Sequence, residues 1–185
     1  MENRSWLLFI YQVPASPSTH RAYAWRKLKN LGALYLQNSI CLLPATAEIE
    51  ERLNNLRLEI ESRGGAGRLL HMSLQSEAEE SKVLSQFKKQ MDDEYEEFLD
   101  KCGDFHTELT EERSKHHFTF GELEENEVEL NKLRAWLPKI EVRDYFGTEK
   151  RAESEASLLA CEEDFSTFEW EVEEDEHGPD RNNPS

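Results

Sequence analysis

The residues most suggestive of chemistry lie in a cationic segment near the N-terminus that also carries aromatic side chains. Tyr23 and Trp25 are interspersed there with five residues that can bind anions: His20, Arg21, Arg26, Lys27 and Lys29. Cationic side chains on a helix can contact phosphates, and aromatic rings between them can stack on bases. We therefore take these five residues as candidate contacts to DNA phosphates. The alternative is a solvated helix face on which Trp25 turns inward and joins the core.

Histidines and carboxylates form a second cluster, close to Cys102. Imidazole and carboxylate groups are ligands that suit zinc or iron. However, His106 and His116 lie ten residues apart, and His116 and His117 are adjacent and cannot share a helix face. We favour a solvated loop between helices and predict neither a metal site nor a cofactor, although the sequence leaves open whether the histidines bind metal. The cluster consists of His106, Glu108, Glu111, His116 and His117.

No nucleophile stands in a pattern typical of catalysis. Cys41 falls within a predicted strand, whereas Cys102 and Cys161 fall on apolar helix stripes, as small packing residues do. The glycine-rich stretch 63–68 follows a helix and precedes a strand, which is the reverse of a phosphate-binding loop. Three separated cysteines do not indicate a disulfide framework. We predict no catalytic residues and a protein that is not an enzyme.

The elements that position the cationic segment alternate in a recognisable order over residues 1–75. A nearly continuous apolar run predicts a strand buried on both faces, and Pro14 ends it. Ser18 or Thr19 can cap the helix that follows, and Thr46 can cap the next one. The order strand, helix, two strands, helix, strand is the ferredoxin-like plan of an α+β protein, with the first and third strands at the centre. The predicted strands span residues 6–13, 33–37, 39–43 and 68–74.

The remaining chain has helical periodicity. Apolar residues from Leu84 to Leu109 recur every three or four positions, with Gly103 as a kink or early stop and a break at 109–117. A second helix begins after Thr119, and Pro138 either kinks it or marks its final turn. The simplest arrangement of the two helices is an antiparallel hairpin. A third helix covers 148–172. We predict three regions: the ferredoxin-like module 1–75, the helical hairpin and C-terminal helix 76–172, and a disordered acidic tail 173–185.

Charge is unevenly distributed along the 185 residues, whose formal net charge is −17. Residues 1–70 hold nine basic and six acidic side chains, a net charge of +3, and residues 71–185 have a net charge of −20. The whole-molecule charge opposes a polyanionic partner, but the first third does not. No apolar run approaches 18 residues and no signal peptide is apparent, so we expect a cytoplasmic protein without a membrane partner.

Several segments together resemble the N-terminal domain of the chromate resistance regulator ChrB. The first half contributes the stretches 6–14, 21–29, 31–33 and 42–46, and the second half contributes 118–124, 136–140 and 143–147. The strand, helix and Gln37-Asn38-Ser39 pattern is also similar to the ferredoxin-like module of CRISPR adaptation nucleases and phenylacetate-responsive repressors. The acidic residue that those nucleases carry at the end of the first strand has no counterpart, because Gln12 or Val13 occupies that position. We assign Trp25, Gln37, Arg143 and Asp144 to the structural motif.

The resemblance implies a bacterial protein linked to chromate resistance and to DNA-binding transcriptional control. We expect a stand-alone regulator, dimeric, that uses the cationic helix on DNA phosphates. The alternative is a non-enzymatic interaction module that binds a copy of itself or another protein without DNA.

Overall fold

The computed structural model describes residues 4–177, which form four strands and five helices. In chain order these are β1 (Ser5–Gln12), α1 (Thr19–Asn30), β2 (Leu34–Gln37), β3 (Ile40–Pro44), α2 (Ala47–Ser62), β4 (Ala66–Ser73), α3 (Glu77–Lys115), α4 (Phe120–Glu141) and α5 (Glu149–His177).

The four strands form one antiparallel sheet in the order β2-β3-β1-β4. Leu7 at the middle of β1 pairs with Leu43 of β3 on one side and with His71 of β4 on the other. The first and third strands therefore lie at the centre, as the ferredoxin-like plan requires. The predicted α+β class is confirmed.

Alternate side chains of β1 enter two apolar clusters, one on each face of the sheet. Leu7, Phe9 and Tyr11 pack with the buried residues of α1 and α2. Trp6 points to the other face, where its ring stacks on Phe87 of α3 with centroids 5.7 Å apart. Because a strand alternates sides every residue, burial on both faces explains why nearly all of β1 is apolar.

The starts of the helices only partly follow the predicted capping. Thr46 accepts a hydrogen bond of 3.2 Å from the backbone N–H of Ile49, which is the expected cap of α2. Ser18 occupies the cap position of α1, but its backbone is already helical and its side chain makes no capping hydrogen bond. The helix begins at Thr19, so neither predicted residue caps it through its side chain.

Helix α3 is longer than the sequence pattern suggests. It continues through Gly103 and ends at Lys115, so the predicted break beginning at Leu109 is wrong. A glycine in a helix interior costs only about 1 kcal/mol relative to alanine. Burial of the flanking residues Cys102 and Phe105, and of Leu109 one turn further on, outweighs that cost.

Helices α4 and α5 complete the chain. Thr119 accepts a hydrogen bond of 3.2 Å from the N–H of Glu122, and α4 ends at Glu141, so Pro138 lies in its final turn rather than at a kink. Helix α5 runs to His177, five residues past the predicted end, and residues 173–177 are therefore helical. The rest of the predicted tail, 178–185, lies outside the described residues.

The described chain divides into two compact units. The first holds residues 4–90 and 143–146, and the second holds 91–142 and 147–177. The division falls inside α3, whereas the predicted module ended at residue 75. The independence of that module stays a prediction. The core of the second unit is formed by residues of all three long helices, including Tyr95, Phe98, Leu130, Leu137 and Phe168.

Candidate nucleic-acid interface

Helix α1 presents its cationic side chains to solvent because its apolar residues face the sheet. Ala24 and Leu28, one turn apart, are buried in the core of the first unit. The four cations Arg21, Arg26, Lys27 and Lys29 are exposed. His20 is only partly exposed, and its Nδ1 atom is buried without a hydrogen bond among the described residues. The structure thus places four of the five candidate phosphate ligands at the surface.

These four cations are not neutralised by carboxylates. Within residues 4–177, no ion pair is formed by any of them. On the neighbouring α2, by contrast, Arg52 pairs with Glu48 at 2.8 Å and Arg57 pairs with Glu61 at 3.1 Å. The positive charge of α1 is therefore available to an external anion.

Two of the cations lie over aromatic rings one turn before them on α1. The ammonium nitrogen of Lys27 is 5.5 Å from the centroid of the Tyr23 ring, and that of Lys29 is 5.4 Å from Trp25. Such contacts are cation–π interactions. Trp25 is 49% exposed, so the alternative in which it turns into the core is wrong.

Tyr23 lies on a different side of α1 from Trp25. Contacts with α2 and with Arg63, which follows α2, hold it there. Its hydroxyl donates a hydrogen bond of 2.6 Å to Glu59, and the guanidinium of Arg63 lies 3.9 Å from its ring centroid. Lys27, one turn after Tyr23, lines a groove between α1 and α2 that also contains Arg52 and Glu59. Lys27 and Arg21 therefore serve different surfaces of the helix.

Arg21 and Trp25 line an open cleft of about 780 Å³ at the end of the sheet. The β2–β3 turn also lines the cleft, and the Gln37 side chain, which follows a register shift after Tyr35, is exposed there. The cleft thus combines a cation, an exposed indole and amide groups, which can contact a phosphate, a base face and a base edge respectively. Its lining residues are Tyr11, Val13, Arg21, Trp25, Tyr35, Gln37, Asn38 and Ser39.

Two tyrosine hydroxyls at this cleft form a hydrogen-bonded pair. The hydroxyl oxygens of Tyr11 and Tyr35 are 3.1 Å apart. Burial raises the pKa of both phenols, and the buried Cys41 beside them has its pKa raised to about 12, also mainly by burial. These groups are neutral at physiological pH, so the charge at the cleft comes from Arg21. Sequence reasoning missed both tyrosines as parts of this cleft, because Tyr11 lies in a strand that was predicted to be buried on both faces and Tyr35 lies in a short predicted strand.

Arg143 and Asp144 lie away from this cleft, in the segment after α4. The β-carbon that a side chain at Gly32 would carry lies 3.0 Å from the Cβ of Arg143, so the segment packs directly on the end of α1. Both residues are partly buried. Their place against the module agrees with a structural role, which stays a prediction.

The predicted histidine cluster is not brought together as a whole. His106 lies in α3 and contacts Asp164 of α5, and His116 is exposed after the end of α3. Near His116, a different set of possible metal ligands lies close together, namely Glu112, His117 and Glu122. The Nδ1 atom of His117 lies 2.9 Å from the carboxylate of Glu112. The ammonium of Lys115 already lies 3.4 Å from Glu112 and supplies a positive charge there.

The fold defines an α+β protein in which a ferredoxin-like sheet with a cationic, aromatic first helix is followed by three long helices. No helix among residues 4–177 has the length and apolar character to cross a membrane. The family model described as Protein ChrB, N-terminal matches residues 21–179. The chain therefore belongs to the ChrB N-terminal family, as its motifs indicated.

One characterised relative is similar over part of its length. Protein ChrB of Cupriavidus metallidurans is 30% identical over 95 residues, which cover 51% of this chain and 29% of that protein. The matched region is thus less than a third of the relative. No solved structure matches the chain.

Proposed function

We propose that this protein is a DNA-binding transcriptional regulator linked to chromate resistance, which acts in the bacterial cytoplasm. The family membership supports the link to chromate resistance regulators. The observation that carries DNA binding is the set of four exposed α1 cations without ion pairs, next to a cleft that contains Trp25. Duplex DNA attracts such a surface because each neutralised phosphate releases condensed counterions.

The acidic second unit sets the conditions under which binding is favourable. Its long helices carry most of the negative charge, and many of its cations are already paired, as Arg134 is with Glu162 at 2.6 Å. Long-range repulsion falls with ionic strength, with a screening length of about 10 Å at 0.1 M salt. We therefore expect a moderate affinity for DNA at this ionic strength, because the contacts of α1 with phosphates contribute more than the long-range repulsion by the negative net charge of the protein.

The test is fluorescence anisotropy with a labelled duplex from the region upstream of the protein's own gene, over a salt series. Each phosphate contact adds about 0.9 to the slope of log K against log salt. The triple variant Arg21→Ala/Arg26→Ala/Lys27→Ala should bind much more weakly, with a slope reduced by about 3. The matched control is Lys101→Ala/Lys132→Ala/Arg134→Ala, which removes the same charge from exposed positions of the second unit.

Equal weakening in both triple variants would show a non-specific charge effect and contradict a site on α1. Absence of binding by the unaltered protein at low salt would reject the proposal and favour the interaction module. We also propose a homodimer, which light scattering tests separately. A monomer of 21.7 kDa at micromolar concentration would contradict the dimer alone.

A further inference from the structure

Two buried thiols and an imidazole meet where α3 packs on α5. Cys102 and Cys161 are 1% and 0% exposed, and the thiol of Cys161 donates to the backbone carbonyl of Cys102, 3.8 Å away, so that the two side chains are neighbours. The Cys161 sulfur also lies 3.5 Å from Nε2 of His106, which stands one turn after Cys102 on α3. The other imidazole nitrogen of His106, Nδ1, is 2.7 Å from the carboxylate of Asp164.

The carboxylate determines which nitrogen of the imidazole carries the proton. An ionised carboxylate only accepts hydrogen bonds, so Nδ1 of His106 is the donor to Asp164. The lone pair of Nε2 then faces the thiol of Cys161. Burial disfavours ionisation of Asp164, but hydrogen bonds from His106 and Arg113 outweigh it and lower the pKa of the carboxyl group.

Arg113 fixes the far end of this row of side chains. Its guanidinium donates to Asp164 at 2.7 Å and to Glu171 at 2.6 Å, so Asp164 is held between a cation and the imidazole. The contacts form a chain in which Cys102 neighbours Cys161, Cys161 neighbours His106, and His106 neighbours Asp164, and these donors are not grouped around one point among residues 4–177. A metal site would need its donors arranged around one point. A line of donors and acceptors is instead the arrangement of a proton relay.

The surroundings of the two thiols shift their pKa values in opposite directions. The hydrogen bond with Cys161 is the main cause that lowers the pKa of Cys102, to about 7, against the effect of burial. The pKa of Cys161 is raised, chiefly by its hydrogen bond with Cys102. Cys102 is therefore the more acidic thiol of the pair, and the less acidic Cys161 is the one whose sulfur lies 3.5 Å from the imidazole of His106.

We propose that Cys102 and Cys161 are an oxidation site at which hydrogen peroxide converts the two thiols into an intramolecular disulfide, with His106 as the proton acceptor. The Cys102 thiolate attacks one peroxide oxygen, the O–O bond breaks, and a sulfenic acid and hydroxide form; the hydroxide takes up a proton to become water. Cys161 then attacks the Cys102 sulfur as its proton passes to His106. The hydroxyl group leaves the Cys102 sulfur as the second water by taking the proton that His106 received, which returns the imidazole to its neutral form. The two thiols are oxidised and the peroxide is reduced to two waters.

Burial and charge define the class of oxidant. The thiols are almost fully enclosed, and residues 71–185 have a net charge of −20. A small uncharged molecule is the oxidant that this burial and charge disfavour least, whereas bulky thiols and anions are disfavoured by size or by repulsion. His106, whose side chain is 36% exposed, is the part of the row that solvent reaches.

The experiment treats the reduced full-length protein with hydrogen peroxide and follows its intact mass and thiol content. We expect a loss of two hydrogen atoms, a Cys102–Cys161 cross-link on peptide mapping, and full reversal by dithiothreitol. Cys102→Ala and Cys161→Ala should each abolish the cross-link, and the matched control Cys41→Ala should form it at the normal rate. Circular dichroism confirms that each variant is folded.

The variant His106→Asn tests whether the rate of disulfide formation depends on proton transfer to the imidazole or only on the proximity of the two thiols. A positioned base contributes on the order of 10²–10⁴ in rate, so we expect the variant to form the disulfide at least about tenfold more slowly. Its pH profile should also lose the dependence on imidazole ionisation. The proposal is overturned if the unaltered folded protein keeps both thiols after treatment with hydrogen peroxide, or if mixed cross-links to Cys41 predominate. An unchanged rate and pH profile in His106→Asn would overturn the role of the base.

Discussion

The hydroxyl of Tyr145 donates a hydrogen bond of 2.6 Å to the backbone carbonyl of Leu31, 114 positions earlier in the chain. Leu31 follows the last turn of α1, where backbone carbonyls lack partners within the helix. The segment after α4 thus satisfies a carbonyl at the end of the cationic helix. We infer that this contact helps to hold the C-terminal end of α1 in place.

Replacing Tyr145 with phenylalanine tests that contact. The change removes the hydroxyl and keeps the ring packed against the apolar cluster between the sheet and helices α1 and α2. A partly buried hydrogen bond contributes about 1 kcal/mol, so Tyr145→Phe should lower the free energy of unfolding by about that amount. Urea unfolding followed by circular dichroism measures the difference. If the urea concentration at the midpoint of unfolding and the dependence of the free energy on urea were both unchanged, the inferred role of the Tyr145 hydroxyl would be contradicted.

Glycines at two positions should respond to alanine in opposite directions. Gly103 is exposed in the middle of α3, and an added Cβ would meet no atom within 4 Å. Gly103→Ala should stabilise the protein by about 0.5–1 kcal/mol, because alanine loses less backbone entropy in a helix. A destabilised variant would show that α3 is not a continuous helix at this point.

Gly32 provides the contrasting case. Its φ is +66°, and an added Cβ would lie 3.0 Å from the Cβ of Arg143. Gly32→Ala combines backbone strain with a steric contact and should cost about 1–3 kcal/mol. Thermal unfolding of both variants beside the unaltered protein compares the signs directly. A neutral Gly32→Ala would show that the segment after α4 does not pack closely against α1.

Two buried phenols and a buried thiol of the sheet predict a loss of stability at alkaline pH. Burial raises the pKa of Tyr11 and Tyr35 above 10.0 and that of Cys41 from 9.0 to about 12. In the unfolded chain these groups lose their protons at lower pH. The stability that they contribute is therefore fully present below about pH 9 and is lost as the pH rises through the folded pKa values.

Urea titrations at several pH values between about 8 and 11 measure this loss. The double variant Tyr11→Phe/Tyr35→Phe removes both phenols and should show a shallower decline above about pH 10. A decline of equal steepness in the double variant would assign the effect to other groups. The same variant at neutral pH serves as its own reference for any loss of packing.

The sequence was sufficient for the element order but not for the direction of individual side chains. Periodicity predicts the ferredoxin-like order, because strands and helices repeat their apolar residues with different periods. It does not decide between Ala24 and Trp25, which are adjacent on α1 and both compatible with the apolar stripe. The structure buries the smaller residue and exposes Trp25. The packing space between α1 and the sheet determines this, and it is not local information.

The thiol and histidine row shows the same limit over a longer distance. His106 and Cys161 are 55 positions apart, and their contact depends on how α3 and α5 align. Spacing could show that Cys102 and His106 share a face of one helix, since they are four residues apart. It could not show which face of α5 meets them. Gly103 similarly suggested a stop because its packing neighbours could not be known.

Trp25 should determine which form of DNA the protein prefers. Stacking of an aromatic side chain on an unpaired base contributes about 1–3 kcal/mol, and a base in an intact duplex is not available for it. We expect a duplex with a single-stranded extension to bind about tenfold more tightly than the blunt duplex. Trp25→Ala should remove that difference and leave the salt slope unchanged, because the cations remain. Anisotropy with both probes measures the preference.

Trp170 is the matched control, since its side chain is 60% exposed and it lies on α5 in the second unit. Trp170→Ala should keep the preference for the extended probe. Quenching of tryptophan fluorescence by DNA should likewise persist in Trp170→Phe and largely disappear in Trp25→Phe, because a stacked base quenches only the indole that it touches. Equal affinity for the two probes in the unaltered protein would show that Trp25 contacts no base, and the cleft would then act through phosphate contacts alone.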